Sequence, residues 1–439
     1  MNRHVLALLL RPAPGQGSLV ALPVIAFGVV TTLVLTVIGG AQSFWSWTDG
    51  YAGLYQALAA IALVLLVVPL MSLGGAAARL SARRRDERLS TLRLLGVTPG
   101  GVAVATVTES VLLAGVGALT GILGYLVLSP LIALIPFRSE PLGLSGVLLA
   151  PLPVVAVVAG VVLIAASSAV IGLRRVVISP LGVRTRATAT SAHWIRAVVA
   201  ACVLAISFVL IKVFPSVGSL LTTIVVLSVL FAGALAVLNL VGPWVLKVAA
   251  RRQLRRAEVP ERLLAARIVL DSPQAAWRQV GGIAMASFMA VFAGTGVSLM
   301  GLMNAEGSSA DAALAVDMRT GLIITLIGSF LMVAASVGVN QASDVLDQRE
   351  LHESLHRLGM PWETVDRARR RAIMSPLLIT AIGSALCAGI LVFPLLGIAL
   401  MTTPESLLTI AAVFGAGIGV VWATTRATRP LLARSFASV

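Results

Sequence analysis

The chain has 439 residues, 58% of them hydrophobic and only 12% charged, with a mean hydropathy of +0.99. Soluble domains carry about 25% charged residues, so a water-soluble globule is excluded. A net charge of +15 raises nucleic acid as a partner, but in a membrane protein basic residues collect in cytoplasmic loops, and their placement decides between the two.

Ten apolar runs are long enough to cross a bilayer, for which about 20 residues are needed. The first is Leu19 to Gly40, and a short aromatic loop, FWSWTDGYAGLY, leads to the second, Ala57 to Ala78. Val102 to Leu128 and Leu148 to Leu173 follow. A basic linker ending in HWIR precedes a pair of spans, Ala197 to Phe214 and Leu220 to Leu246. After a long basic, amphipathic segment come Val280 to Met303, Gly321 to Val339, Ile373 to Leu400 and Leu407 to Thr425. The N-terminal MNRHVLALLLRPAPGQG is too short and interrupted for a cleaved signal peptide.

With ten spans and both termini in the cytoplasm, every basic residue except Arg138, Lys212 and Arg319 falls on the cytoplasmic side. The opposite side carries Asp49, Glu140, Glu306, Asp311, Asp317 and Glu405. One span more or fewer would invert half the loops and destroy this bias, so span number and orientation are fixed together. The charge is that of an inner membrane face, and nucleic acid is not an expected partner. Membrane lipid is. Both cysteines, Cys202 and Cys387, lie in apolar runs, which leaves no disulfide framework or CxxC metal site. Only 2 lysines stand against many arginines, and with abundant Ala, Val and Gly this points to a GC-rich bacterial genome and its cell membrane.

Trp194, Trp244, Trp277 and Trp422 fall near the inner boundary and Trp45 and Trp47 near the outer one, as interfacial belts require. For Trp45, Trp47, Tyr51 and Tyr55 a second role is open, an aromatic lip that touches an amphipathic substrate. Every outer loop is short, so no large outer domain is expected.

The chain is organised around a charged, helix-competent stretch, RRRDERLSTLRLLGVTPGG (Arg83 to Gly101). Gly96 closes one helix, and Thr98 and Pro99 supply an N-cap and first-turn proline for the next. A related stretch, QRELHESLHRLGMP, begins at Gln348. An offset of 263 residues aligns Gly96 with Gly359, Glu87 with Glu350, Leu92 with Leu355 and Leu95 with Leu358. Leu89, Leu92 and Leu95 form an apolar stripe at helical spacing, as do Leu351, Leu355 and Leu358. Two uses fit such a stripe, docking to a cytoplasmic protein and lying on the inner leaflet. The repeat extends outward, because Pro12 stands as far before Phe27 as Pro273 does before Phe288. The layout is four spans, two spans and four spans: a first unit over 1–195, a central pair over 196–254 and a second unit over 255–439. Gly115, Gly117, Gly121 and Gly124 in the third span, and Gly415, Gly417 and Gly419 in the last, permit close helix packing and would equally serve a sliding helix.

These residues resemble the FtsX-like permease family of ABC transporters. RRRDERLSTLRLLGVTPGGV followed by ATVTESVLLAGVGALTGILG is similar to the family's R-x-x-E-x-x-x-L-x-x-L-G segment and its glycine-rich helix. VISPLGVRTR resembles the close of its four-span unit, and the ten-span layout is similar to the bacitracin-resistance type. The second copy departs, with Ala372 where the first has Glu109, and Pro376 soon after. The chain also has only Asn304 to Met318 where such permeases carry a large extracellular domain, so ligand capture outside the membrane is not implied. The resemblance implies that the two charged stretches are coupling helices seated in a cytoplasmic ABC ATPase dimer. Glu87, Leu89, Leu92, Leu95 and Gly96, with Glu350, Leu351, Leu355, Leu358 and Gly359, would make that contact. The duplicated layout favours one permease chain per ATPase dimer.

No G-x-x-x-x-G-K-[ST] occurs, so the chain is not expected to be an enzyme or to hold a cofactor. ATP and magnesium would sit on the partner. His352 and His356 flank Glu353 with i, i+4 spacing, a pattern more common for solvated side chains than for a metal site. Glu109 is the one acid within an expected span; it either pairs near the cytoplasmic boundary or relays protons. The expected fold is an all-α polytopic membrane protein. The expected function is a permease subunit that couples a partner's ATP hydrolysis to export or extraction of an amphipathic or lipid-like substrate, such as an antimicrobial peptide or antibiotic, in efflux or resistance. The alternatives are an ion-gradient-driven transporter and a non-transporting module that transmits force.

Overall fold

The computed structural model describes residues 17–94, 99–178, 220–303, 309–347, 354, 357, 359–402 and 404–427. Twelve α-helices occur among them. They are α1 (Gly17–Gln42), α2 (Ala52–Leu94), α3 (Pro99–Ala133), the single turn α4 (Leu144–Val147), α5 (Pro151–Ile178) and α6 (Leu220–Arg255). Then come α7 (Pro260–Asp271), α8 (Pro273–Met303), α9 (Ser309–Asp347), α10 (Trp362–Leu391), α11 (Phe393–Thr402) and α12 (Pro404–Ala427). Five helices (α3, α5, α7, α8 and α12) open on proline. That position has no intrahelical acceptor for an N–H, so the missing donor costs nothing.

Among the described residues, eight helices are long and apolar enough to cross a membrane: α1, α2, α3, α5, α8, α9, α10 and α12. Each matches an expected span. The expected span Ala197 to Phe214 lies outside the described residues, and Leu220 to Leu246 falls within the 36-residue α6. The ninth span ends earlier than its hydropathy implies. α10 stops at Leu391, Val392 leaves the helical region with ψ 21, and α11 begins at Phe393. The one sheet among the described residues is a two-stranded hairpin, β1 (Pro136–Phe137) with β2 (Glu140–Pro141).

Two compact units divide the chain. The first holds residues up to Arg184, Met303–Met360 and the chain from Gly415 onward; the second holds Thr185–Leu302 and Pro361–Phe414.

In the first unit α1 packs closely on α3 through small residues. A Cβ placed on Gly121 would lie 2.5 Å from the Thr31 Cβ and 2.7 Å from the Gly28 carbonyl oxygen. One on Gly117 would lie 2.6 Å from the Phe27 Cβ. Backbones this close also hydrogen-bond across the pair, Thr32 Oγ1 donating to the Gly121 carbonyl at 3.0 Å. Glycine here serves close approach rather than flexibility. Gly115 does not share the contact, and its Cβ would meet open space. In the last helix Gly417 receives the Phe330 ring of α9, whereas Gly415 and Gly419 face open space.

α2 and α9 run parallel and in register. Tyr55 meets Asp317, Leu66 lies against Gly328, and Ser72 Oγ is 3.1 Å from Ser336 Oγ. The separations in sequence are 262, 262 and 264 residues. Around this pair Leu66, Leu73, Ala77, Leu80 and Met332 join Ala26, Phe27 and Val30 of α1 in one buried cluster.

In the second unit α7 packs across α6 and α10, with Ala265 and Val269 against Ala250 and Ala372. Gly242 of α6 lies under the Trp277 ring of α8, whose Nε1 donates to Asn239 Oδ1 at 2.6 Å.

Gly121→Val is expected to destabilise the first unit by about 1–3 kcal/mol, the usual cost of overpacking, while Gly115→Val leaves it unchanged. Thermal unfolding of the two purified variants in detergent checks this; equal melting would contradict the packing.

Candidate functional site

A dense polar group of the first unit lies at one end of the bundle, where α2 begins and α3 ends. It is the end remote from the charged stretch, which lies at the far end of the 43-residue α2. Four chain segments supply it: the α1–α2 connection, the first turn of α2, the β1–β2 hairpin and the N-terminal part of α9.

The hairpin turn sets the geometry. Phe137 pairs with Glu140, so Arg138 and Ser139 alone make the turn, with φ of 55° and 65°. Turns of this kind demand positive φ at both central residues and favour Asn-Gly or Gly-Gly. Non-glycine residues there cost of order 1–3 kcal/mol each and persist only where surroundings over-determine them. Here the surroundings are a carboxylate. The Arg138 backbone N–H donates to both oxygens of Asp317, at 3.1 and 3.0 Å. Asp317 is 4% exposed, and its Oδ2 also accepts the Tyr55 hydroxyl at 2.5 Å. A buried carboxylate is tolerable only with such partners.

The Arg138 side chain turns the other way. Its Nη1 donates to Asp49 Oδ1 at 3.0 Å, and its Nη2 lies 3.0 Å from Asp49 Oδ2. Its guanidinium carbon sits 4.0 Å above the Trp47 ring and 4.6 Å from that of Tyr55, within range of cation–π attraction. Phe44 stacks on Tyr55 at 6.2 Å and meets Trp47 and Phe137 edge-on at 5.1 and 5.0 Å. The hydrogen bond from Arg138 holds the Asp49 carboxyl below the ordinary carboxylate range, slight burial opposing it. Burial disfavours the Arg138 charge, but hydrogen bonds to Asp49 and Tyr55 outweigh it and raise the guanidinium above its ordinary value.

A second anchor holds the same end. Tyr125 of α3, almost fully buried, donates its hydroxyl to the Val147 carbonyl at 2.7 Å and accepts the Leu149 N–H at 2.9 Å. The turn α4 is thereby pinned over α1, where a Cβ on Gly39 would lie 2.6 Å from the Val147 carbonyl oxygen.

The four aromatics expected to form a lip divide into two kinds. Trp47 and Tyr55 turn inward and build the cluster, Tyr55 being 6% exposed; Trp45 and Tyr51 are exposed. Asp49, Arg138 and Asp317 were visible in the sequence only as outer-loop charges. The useful signal was Arg138 itself, an isolated arginine on a side otherwise nearly free of them. Phe44 and Phe137 carried no signal apart from the aromatic loop.

The charged stretches are described in part. Glu87, Leu89 and Leu92 lie on α2, which continues as helix to Leu94, and the next helix starts at Pro99. Leu95, Gly96, Glu350, Leu351, Leu355 and Leu358 lie outside the described residues, as do His352, Glu353 and His356. Gly359 has φ +81°, in the left-handed region that favours glycine, and α10 starts three residues later at Trp362. Glu109 is half-buried, eleven residues into α3.

Fold and site together define an all-helical, multi-pass membrane protein with a cross-linked cap at one end. No family model, curated protein or solved structure matches the chain.

Asp317→Asn is expected to destabilise the first unit by about 1.5–3 kcal/mol, the worth of hydrogen bonds to a charged group. Tyr55→Phe should cost about 1 kcal/mol. Melting temperatures unchanged by both would contradict the assigned role. Asp49 carries a separate pH signature. Its lowered carboxyl stabilises the fold fully above the ordinary carboxylate range, and that contribution is lost as pH falls through the lowered value. Asp49→Asn should therefore melt below wild type at neutral pH, with the gap closing in acid; a gap constant with pH would contradict the ion pair.

Proposed function

We propose that the chain is the transmembrane subunit of an ABC transporter of the FtsX-like kind. A separate cytoplasmic ATPase dimer, holding ATP and magnesium, would drive it, with one permease chain per dimer. It sits in a bacterial cell membrane with both termini inside. The observation that carries this reading is the charged element that occurs twice, 263 residues apart, with a helix restart at the matched position each time: Pro99 and Trp362. α2 continues for sixteen residues past Ala78, about 24 Å at 1.5 Å per residue, which carries the first element clear of the hydrocarbon. The in-register α2–α9 pair supports the repeat, because equivalent helices of two parallel repeats, related by a two-fold axis, meet at like positions. On this reading ATP binding closes the partner dimer and pushes on the two elements.

The substrate is amphipathic or lipid-like, a membrane-active peptide or antibiotic exported or extracted from the outer leaflet. The mostly apolar spans favour such a molecule over a hydrophilic solute. Exposed Trp45 and Tyr51 beside the Trp47–Arg138–Asp49 group offer it both an apolar and a charged contact. An ion-driven transporter is the second reading, and the buried Asp317 and half-buried Glu109 are the carboxylates it would use.

The double variant Leu95→Asp, Leu358→Asp places a charge in each apolar stripe. Wild-type chain should co-purify with the ABC-type ATPase encoded nearest to its gene, and the double variant should insert normally yet lose that partner. Retained binding, or a wild-type chain that transports on an ion gradient with no ATPase, would overturn the reading.

A further inference from the structure

The helix α7 sits at a particular height in the second unit. Its buried face, Ala265 and Val269, packs on Ala250 of α6 and Ala372 of α10. In both partners that alanine lies where apolar sequence meets charged sequence. Ala250 stands between Lys247 and Arg251, just past the apolar run that ends at Leu246; Ala372 follows Arg369, Arg370 and Arg371 and is followed by Ile373. Such a change within a spanning helix is where the hydrocarbon ends and the headgroups begin. The spanning helix α10 thus places α7 at that boundary, and the charged end of α6 agrees.

It is also tethered there. Only Arg256 to Val259 separate it from α6, and Ser272 alone separates it from the spanning helix α8. Glu261 holds its first turn to α10 through Arg367 at 3.1 Å and Arg371 at 4.0 Å.

Among the described residues, nothing packs on the opposite face. Leu263 is 45% exposed and Ile268 52%, with half-buried Leu264 between them and exposed Arg267 alongside; exposed Arg262 lies in the first turn, at the edge of the buried face. The segment from Lys247 to Arg278 carries eight basic residues against three acidic ones, which complements an anionic surface.

We propose that α7 is an interfacial helix bound to anionic phospholipid. Leu263, Leu264 and Ile268 enter the acyl region at the headgroup boundary, and Arg262 and Arg267 reach the phosphates. The anchor fixes the height of α10, whose first turns it holds through Glu261. It rests only on the membrane-spanning character of α8 and α10 and stands apart from the ATPase reading.

The test uses the full chain with Cys202→Ser and Cys387→Ser, one new cysteine at Ile268→Cys, and an environment-sensitive fluorophore on it. The protein is reconstituted in vesicles of phosphatidylcholine with phosphatidylglycerol, some with brominated acyl chains. A label at Glu258→Cys serves as the reference in the connecting loop. The expected result is blue-shifted emission at 268, strong quenching by brominated lipid and weak quenching by aqueous iodide. The lipid quenching should fall in pure phosphatidylcholine and with Arg262→Gln, Arg267→Gln. Iodide quenching at 268 as strong as at 258 would overturn the proposal, as would shielding that appears only when an ATPase is added. Lipid quenching unaffected by phosphatidylglycerol and by both arginine substitutions would overturn the anionic contact.

Discussion

The structure of the first unit depends on one helix pair. α2 and α9 run parallel, and their contacts at Tyr55–Asp317, Leu66–Gly328 and Ser72–Ser336 keep a nearly constant offset over about 25 Å. Parallel helices without a short connection hold register only through side chains. A hydrogen-bonded carboxylate at one end and a serine pair further along supply it, with Leu66 over Gly328 allowing close approach between. The cluster formed by Leu66, Leu73 and Met332 with Phe27 ties α1 to this pair, and the α1–α3 glycine contact then seats α3. Displacing α9 by one turn would leave the Asp317 carboxylate buried without its donors, a cost far larger than that of any apolar contact nearby.

The cap turns the same residue into a junction. Asp317 accepts the Arg138 N–H of a hairpin turn whose Arg138 and Ser139 adopt a conformation suited to glycine, so the same hydrogen bonds offset both the strain in the turn and the burial of the carboxylate. Arg138 then works in two directions: its backbone binds α9 and its side chain binds Asp49 and lies over Trp47. A movement of α9 along α2 would be felt at once by the aromatic loop.

Much of the fold was legible in the sequence because membrane spans are dictated by hydropathy over long windows. The eight apolar helices fall where the runs from Leu19 to Thr425 placed them, and α3 and α10 begin where Pro99 and the Gly359 turn announced them. The early end of α10 at Leu391 was not legible, because FPLLGIAL is as apolar as the helix before it and only Pro394 marks a new start. The candidate site was half legible. Aromatic residues near a boundary identified the loop, but separating inward Trp47 and Tyr55 from exposed Trp45 and Tyr51 needs the position of Arg138, which comes from a turn some ninety residues away. Likewise, the glycine pattern in α3 announced close packing without showing that Gly115 takes no part in it.

The register of α2 against α9 is tested most directly by disulfide formation between Ser72→Cys and Ser336→Cys, with Cys202 and Cys387 replaced by serine, in lipid membranes. The account predicts rapid cross-linking within one chain, and far slower reaction when Asn340→Cys, one turn further along α9, replaces Ser336→Cys. Absence of the 72–336 cross-link, or an equally fast 72–340 reaction, would contradict it.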